Sequence, residues 1–431
     1  MCGNGNTEQG RGAQDNPDAP LDWETIPLPP RYILSHLTDA HCHPTDLTHS
    51  ADVYDTLPLR GLAAMATTMH DQEKVDALSR EKCWFRNTTK GLGVVACFGY
   101  HPWFTHRYTL SPPSSIPTKR DHYTFLFLPP RSSTSTSTST STDKLQTLLD
   151  TLLPFLPDPI SLQPLLHTLR QNLSTHLEEG RLTMLGEVGL DASARLRWPI
   201  QARDVWEDMY GKREANSRAD GDSRSEEWKR LTPFKVPIAH QRAILEAQME
   251  IAIELGVNIS FHSVASAGPT MDVLRSMKTR HGPHFIHRVN VDLHSAGGWS
   301  PQFWIQAQKS LPNLYASPSI PITSRSPSAP SLIRAIARDR MLIESDTHDA
   351  TLNTRYVWAA TEWVGRLKGW KVEGLHPQHQ SGDEKEEEDW ELESEEEIYD
   401  HRGKPIDPAP EEIWTVRTLE RNWARFMRLL D

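Results

Sequence analysis

Short apolar runs alternate with longer amphipathic stretches along most of the chain. Eight of these runs predict strands, because each is short, apolar and bounded by turn residues. One lies at residues 32–40, and the others begin at residues 60, 91, 181, 256, 284, 311 and 339. We therefore expect eight strands, with a helical pattern between successive strands.

The helical pattern is clearest in three places. Residues 237–255 carry an apolar stripe that stops at Gly256, an ordinary helix terminator. Residues 331–339 precede the last predicted strand, and residues 411–430 close the chain with the same spacing. Eight strands separated by helices predict a (β/α)₈ TIM barrel in the α/β class. A doubly wound open sheet is the alternative, although no G-x-G-x-x-G follows the first strand.

Polar segments interrupt this pattern and suggest the domain organisation. Residues 1–28 are predicted to be a disordered tail, because they contain almost nothing that could be buried. Residues 29–431 are predicted to form a single barrel domain with flexible insertions near residues 105–145, 205–230 and 375–405. The first insertion contains the run RSSTSTSTSTSTD, interpreted as a spacer, with a phosphorylation cluster as the alternative.

The charge of the chain is concentrated in one place. The formal net charge of the 431 residues is -11, and residues 383–400 alone hold twelve acids and one lysine. The rest of the chain is therefore neutral overall, which does not suggest a general DNA-coating protein with a basic face. We expect the acidic tract to stay solvated, with docking of a basic protein partner as the alternative.

Cysteine usage and hydropathy suggest a compartment. The four cysteines form no C-x-x-C pair, which favours a reducing environment over a disulfide framework. The N-terminus lacks the apolar core of a signal peptide, and there is no apolar run of about 18 residues that would span a membrane. We expect a cytoplasmic or nuclear protein, or one found in both places.

Polar residues stand at the ends of six predicted strands. His41 and His43, in LTDAHCHP, lie two residues apart, and side chains with this spacing share one face of a strand. Further polar residues at such ends are His101, Glu187, Asp191, His262, His294, Glu344, Asp346 and His348. Functional residues of a barrel gather at the carboxyl ends of its strands, and buried polar groups there must be paired or bind a metal.

Six of these residues form a candidate ligand set: His41, His43, Glu187, His262, His294 and Asp346. Four imidazoles and two carboxylates exceed what one tetrahedral ion with an open position requires. They suit two divalent cations that share a bridging carboxylate and activate water. Imidazole-rich sites favour zinc, manganese or iron, while magnesium, which prefers oxygen, stays a candidate.

In their order and spacing, the motifs DAHCHP, GYHP, GEVGLD, FHS, LHSAGG and IESD resemble the TatD family of metal-dependent hydrolases. The resemblance runs from about residue 34 to residue 346. LTPFKVPIAHQRAILEAQ is similar to the fungal branch, some members of which are described as partners of an anaphase-promoting-complex subunit. The resemblance implies a TIM barrel, two divalent metals and phosphodiester hydrolysis, typically of DNA.

Carried over by position, the resemblance assigns a role to each residue. His41 and His43 would ligate one metal, His262 and His294 the second, and Glu187 would bridge both. Asp346 would hold the first metal and help to deprotonate the attacking water. His101 would lie near the scissile phosphate, which makes Asp346, Glu187 and His101 the catalytic candidates.

Three features depart from the family pattern. The run FHSVASAG has no arginine after His262, Thr347 and His348 follow Asp346 where Ala-Pro is usual, and insertions follow the third and fourth strands. All of the metal-ligand positions of the family are present in this sequence. The resemblance therefore supports metal binding better than it supports nuclease activity.

Two functions stay open at this stage. The first is a two-metal phosphodiesterase acting on DNA, and the second is a binding platform on the same barrel. Hydrolysis of amides or lactones is a further enzymatic alternative, disfavoured because Glu187 stands where such enzymes use a carbamylated lysine.

Overall fold

The computed structural model describes residues 18–86, 91–129, 139–211, 230–374 and 408–430. Its centre is a sheet of seven parallel strands in the order β1-β2-β3-β6-β9-β10-β11. The strands are β1 Thr38–Cys42, β2 Gly61–Met65, β3 Gly93–Phe98, β4 Tyr108–Thr109, β5 Ile160–Ser161, β6 Thr183–Asp191, β7 Arg195–Arg197, β8 Leu231–Lys235, β9 Asn258–Val264, β10 Val291–His294 and β11 Leu314–Ser317.

An extended segment, residues 341–346, lies in the place of an eighth strand. Met341 forms a parallel bridge with Ala316 in β11. On the other side, Ala40 in β1 donates a backbone hydrogen bond to Ile343, at 3.0 Å. The segment therefore joins the two edges of the sheet into a nearly closed barrel, and the predicted TIM-barrel class is confirmed.

Helices surround the sheet, as the alternating pattern predicts. They are α1 Arg31–Leu34, α2 Ala51–Thr56, α3 Gln72–Glu81, α4 Lys119–Phe127, α5 Ser139–Leu152, α6 Leu162–Glu178, α7 Arg203–Trp206, α8 Ile238–Leu255, α9 Ala267–His281, α10 Pro283–Arg288, α11 Pro301–Ser310, α12 Ala329–Ala335, α13 Asn353–Lys368 and α14 Thr415–Met427. The predicted stop of α8 at Gly256 is present, because Gly256 is left-handed with φ +70°.

Two predicted strands begin with helices instead. Residues 31–34 form α1 and residues 283–288 form α10, so β1 and β10 start later than expected. Both helices follow or begin at a proline, which fixes a helical φ and lacks the N–H that a strand would donate. A short apolar run alone does not separate the two structures.

The last helix closes the amino-terminal end of the barrel. Trp423 and Phe426 of α14 pack with barrel residues such as Ala63 and Tyr315. Asn258 and Asn290, at the starts of β9 and β10, donate side-chain hydrogen bonds to the carbonyl of Phe426. The opposite, carboxyl end therefore carries the opening.

Part of the first predicted insertion is folded. After a 3₁₀ helix (Pro102–Arg107), α4 and α5 form a small second core with the antiparallel hairpin β7–β8, through residues such as Tyr123, Leu149 and Phe234. The Ser/Thr run lies outside the described residues except for the start of α5, and so do the polar part of the second insertion and the acidic tract.

The described part of the predicted tail is packed. Ile26 is buried, and Trp358 of α13 donates its indole N–H to the carbonyl of Pro27. Residues 18–28 therefore belong to the folded body, while residues 1–17 lie outside the described part. In that part of the chain, none of the helices has the length and hydropathy to cross a membrane.

Candidate metal centre

All seven predicted site residues meet at the carboxyl end of the barrel. Each comes from the carboxyl-terminal part of a barrel strand, from the residues just after it or, for Glu187, from the middle of the long strand β6: His41, His43, His101, Glu187, His262, His294 and Asp346. Asp346 is half-buried, and each of the others is at most 7% exposed. The predicted set is therefore one cluster with little access to water.

One oxygen of Glu187 faces three imidazoles. Its Oε1 lies 2.7 Å from His262 Nδ1, 2.8 Å from His294 Nε2 and 3.2 Å from His101 Nε2. The nitrogens of His262 and His294 are themselves 3.1 Å apart. His101, which the resemblance places near the phosphate, thus stands with the predicted second-metal residues.

The other oxygen of Glu187 faces a second group. Its Oε2 lies 3.4 Å from His43 Nε2 and 3.7 Å from His41 Nε2. Asp346 Oδ1 stands 3.6 and 3.8 Å from the same two nitrogens. Glu187 therefore lies between two groups of donors, which is the position of a bridging carboxylate.

The spacing of the donors fits a cation in each group. The ligand atoms of His41, His43 and Asp346 lie within 4.8 Å of one another, and so do those of His101, Glu187 and His262. Two atoms that each bind zinc at about 2.0–2.2 Å stand roughly 3.4 Å apart in a tetrahedral site. The 3.2 Å separation of the Nε2 atoms of His41 and His43 is close to this value.

The electrostatics of the cluster also favour the binding of cations. Burial would raise the pKa of Glu187, but the imidazoles of His101 and His294 hold it well below its usual range. Burial would lower the pKa of His43, yet Asp346 and Glu187 raise it to about 9. The two carboxylates stay ionised and create a field that favours a cation between them.

Hydrogen bonds behind the imidazoles aim them at the cluster. His41 Nδ1 lies 2.8 Å from Ser260 Oγ, which leaves Nε2 directed at the cluster. His101 Nδ1 accepts a hydrogen bond from the backbone N–H of Trp103, at 3.2 Å. Such partners fix the orientation of metal-binding histidines.

Two carboxylates noted at the strand ends have supporting positions. Asp191 Oδ2 lies 3.5 Å from His262 Nε2 and accepts a 2.5 Å hydrogen bond from Trp103 Nε1. Glu344 is fully buried and accepts hydrogen bonds from Ser295 Oγ and Ser317 Oγ. The sequence pattern did not single out these serines.

Unusual backbone conformations hold the site in place. Asp346 has φ +50°, a conformation that L-residues rarely adopt, and its N–H donates to the carbonyl of His41 at 3.0 Å. Gly189, in the GEVGLD motif, lies so close to β9 that a Cβ atom would stand 2.0 Å from the carbonyl oxygen of His262. The glycine therefore lets Glu187 and His262 approach each other.

A barrel with a histidine–carboxylate cluster at its carboxyl end is typical of metal-dependent hydrolases. The family model described as TatD related DNase matches residues 38–385. The chain belongs to the TatD family, as the motifs predict.

Two curated proteins and one solved structure are similar to this chain. Cut9-interacting protein scn1 of Schizosaccharomyces pombe is 25% identical over 79% of this chain and 95% of its own length. A Saccharomyces cerevisiae protein named as an uncharacterized deoxyribonuclease is 24% identical over 78% of this chain and 90% of its own. The Escherichia coli TatD homologue YjjV has 14% identity, a TM-score of 0.43, and coverage of 78% of this chain and 91% of its own.

Proposed function

We propose that this chain is a two-metal phosphodiesterase that hydrolyses DNA. The observation that carries the proposal is the position of Glu187, with one carboxylate oxygen toward each of two donor groups. Paired cations bridged in this way stabilise both the attacking and the leaving oxygen of a displacement at phosphorus. The family's description and the name of the yeast relative support DNA as the substrate.

The residues present have distinct tasks in this reaction. His41, His43 and Asp346 would hold one cation, and His262, His294 and His101 the other, with Glu187 between them. The bound cations would supply charge that lowers the pKa of a water and neutralises the phosphate. Zinc and manganese suit this imidazole-rich donor set better than magnesium.

Asp346 is the proton acceptor in this proposal. Burial would raise its pKa, but the imidazoles, His43 foremost, hold it below the usual range, so the side chain is ionised at neutral pH. Its Oδ2 lies 3.2 Å from Ser295 Oγ, while Oδ1 faces His41 and His43. The carboxylate is therefore oriented at the half-buried edge of the cluster, where a water can enter.

The test is cleavage of single-stranded and duplex DNA by wild type and Asp346→Asn, with Zn²⁺, Mn²⁺ or Mg²⁺. We expect the substitution to lower the rate by about 10²–10⁴-fold, the usual contribution of a general base. The matched control is Asp272→Asn, an exposed position on α9, which should cleave like wild type. Equal cleavage by Asp346→Asn and wild type would contradict the assignment.

A platform role is the second candidate. The relative from fission yeast is named for its interaction with Cut9, and it matches this chain over 95% of its own length. If the acidic tract docks a partner, deletion of residues 381–400 should abolish capture of that partner without changing the melting temperature. Capture of a Cut9-type partner at wild-type levels after the deletion would exclude the tract as the docking element.

A further inference from the structure

A cavity of about 620 Å³ lies beside the metal centre, between the 3₁₀ helix that follows β3 and the β7–β8 hairpin. Its lining includes Trp103, Phe104 and Trp198, together with Arg107, Arg195 and Arg197. None of the residues that line it is an aspartate or a glutamate. The cavity, called the arginine groove below, is therefore positively charged in a chain whose net charge is -11.

The hairpin builds the basic side of the groove. Side chains alternate along a strand, so Leu196 is buried in the second core while Arg195 and Arg197 both face outward. Arg195 is paired directly across the hairpin with Lys235. Two cations opposite each other repel, and this arrangement is stabilised when an anion binds between them.

The cations in the groove are not neutralised by acids of the described residues. The structure shows no ion pair between Arg107, Arg195 or Arg197 and a carboxylate in that part of the chain. Arg107 Nε is buried without a hydrogen-bond partner, and the guanidinium groups of Arg107 and Arg197 lie over the rings of Phe104 and Trp103. These groups are available to an anionic ligand.

Trp103 connects the groove to the metal centre. Its indole N–H donates to Asp191, which faces His262, and its ring centroid lies 5.0 Å from that of His101. The side chain is nevertheless 41% exposed on the groove side. A ligand that reaches the cluster can therefore extend along Trp103 toward Arg197.

The segment after His262 contributes no positive charge on its side of the cluster. Residues 263–268 read SVASAG and contain no cation. The bound cations would neutralise the phosphate at the cluster itself, so charge for the neighbouring phosphates of a polyanion has to come from other side chains, and the arginine groove is adjacent. Alternating cations and aromatic rings suit a single nucleic-acid strand, whose phosphates pair with arginine and whose unpaired bases stack on aromatic side chains.

We propose that the arginine groove binds the part of a single DNA strand next to the scissile phosphate, with Arg195 and Arg197 on phosphates and Trp103 against a base. This inference rests on the proposed function for the identity of the bond that is cut. The binding itself can be measured separately.

The test is fluorescence anisotropy of a labelled thymidine strand of about twelve nucleotides, with cleavage-resistant phosphorothioate linkages, added to the full-length metal-loaded protein. Arg195→Gln/Arg197→Gln should weaken binding at least tenfold. It should also reduce the slope of log affinity against log salt by about 1.4, since each phosphate contact on a single strand contributes about 0.7. Trp103→Leu should weaken binding roughly tenfold with the slope unchanged, because stacking releases no counterions.

The matched control is Arg275→Gln/Lys309→Gln, which removes the same charge from two exposed positions on α9 and α11 outside the groove. If it lowers affinity and slope as much as the groove variant does, the effect is net charge and the proposal is overturned. An unchanged affinity in Arg195→Gln/Arg197→Gln also overturns it. If that variant instead loses binding only to an acidic peptide, the groove is a protein-docking surface and not a strand-binding one.

Hydrolysis of bis(p-nitrophenyl) phosphate by wild type separates the two proposals. Hydrolysis together with a groove variant that binds the strand normally would support the proposed chemistry and refute the groove. No hydrolysis with metals bound, together with loss of strand binding in the groove variant, would refute the chemistry and support the groove.

Discussion

At the scale of single residues, Glu187 is the side chain on which both donor groups depend. Glu187→Gln replaces one carboxylate oxygen by an NH₂ group, which does not ligate a cation. We expect the bound metal to fall from about two ions per chain to one or fewer, measured by elemental analysis after gel filtration. Glu254→Gln, at an exposed position, is the control. Two fully occupied sites in Glu187→Gln would rule out the bridging position.

Gly189 gives a second prediction at this scale. A methyl group there would stand 2.0 Å from the carbonyl oxygen of His262 and force β6 away from β9. Gly189→Ala should lower the free energy of unfolding by roughly 1–3 kcal/mol or more, as overpacking does. Gly268→Ala, in α9 with open space around its Cβ position, should be neutral or slightly stabilising. Equal denaturant midpoints for the two variants would contradict this reading of the GEVGLD motif.

How far the sequence predicts the site also depends on particular residues. His41, His43 and His262 are recognisable because they stand in short motifs at strand ends. Ser260 lies two residues before His262 on the same strand face, and the two-residue period could have suggested it. Arg197 and Trp103 could not have been paired in this way, because 93 residues separate them and only the fold brings their side chains together.

At the scale of elements, residues 102–127 form the wall of the arginine groove that carries Trp103. This wall depends on buried neutral histidines. His122 Nε2 of α4 lies 2.8 Å from the carbonyl oxygen of His106, and His240 Nε2 of α8 lies 2.9 Å from that of Thr105. Burial lowers the pKa of all three histidines, and Arg107 contributes to lowering that of His106 to about 3. The folded wall therefore excludes protons that the unfolded segment binds.

This difference predicts acid sensitivity of the wall. Below pH 6.5 the unfolded state takes up the proton of His106 and the folded state does not, so stability is lost as the pH falls. For His106 alone the loss reaches roughly 2 kcal/mol by pH 5. Hydrogen exchange of residues 102–127 should accelerate from pH 7 to pH 5, after correction for the intrinsic rate. His106→Gln should reduce that acceleration, and His167→Gln, at an exposed position, should not.

The boundaries of the helices and strands show where the local sequence pattern is sufficient to predict them. β6 and β9 were predicted almost to the residue, because long apolar runs end in polar motifs. The sequence predicts strands where α1 and α10 lie, because short segments with two or three apolar residues, such as RYIL and HFI, suit either structure. Tertiary packing decides whether such a segment forms a helix or a strand, and the local sequence pattern does not show that packing.

At the scale of the whole molecule, barrel closure joins distant parts of the chain. The segment at residues 341–346 pairs with β1 about 300 residues earlier, and α14 seals the opposite end. The count of eight strand-like runs predicted the barrel, but an apolar pattern does not show that the eighth run joins the edges without regular strand pairing. Ligands of the metal centre lie on both sides of this closure, because His41 belongs to β1, His43 directly follows β1 and Asp346 belongs to the closing segment.

Metal binding should therefore stabilise the entire barrel. A cation held by β1, β6 and the closing segment at about 100 times its dissociation constant adds about 2.7 kcal/mol, which is several degrees in melting temperature for a domain of this size. We expect Zn²⁺ or Mn²⁺ to raise the melting temperature of chelator-treated protein, and Ca²⁺, which prefers oxygen ligands, to raise it less. The shift should be clearly smaller in His41→Asn/His43→Asn, which keeps only the second donor group, measured by differential scanning fluorimetry at matched ionic strength. An undiminished shift in that variant would mean that the cations bind away from the strand ends, so the closure of the barrel and the metal centre would be independent.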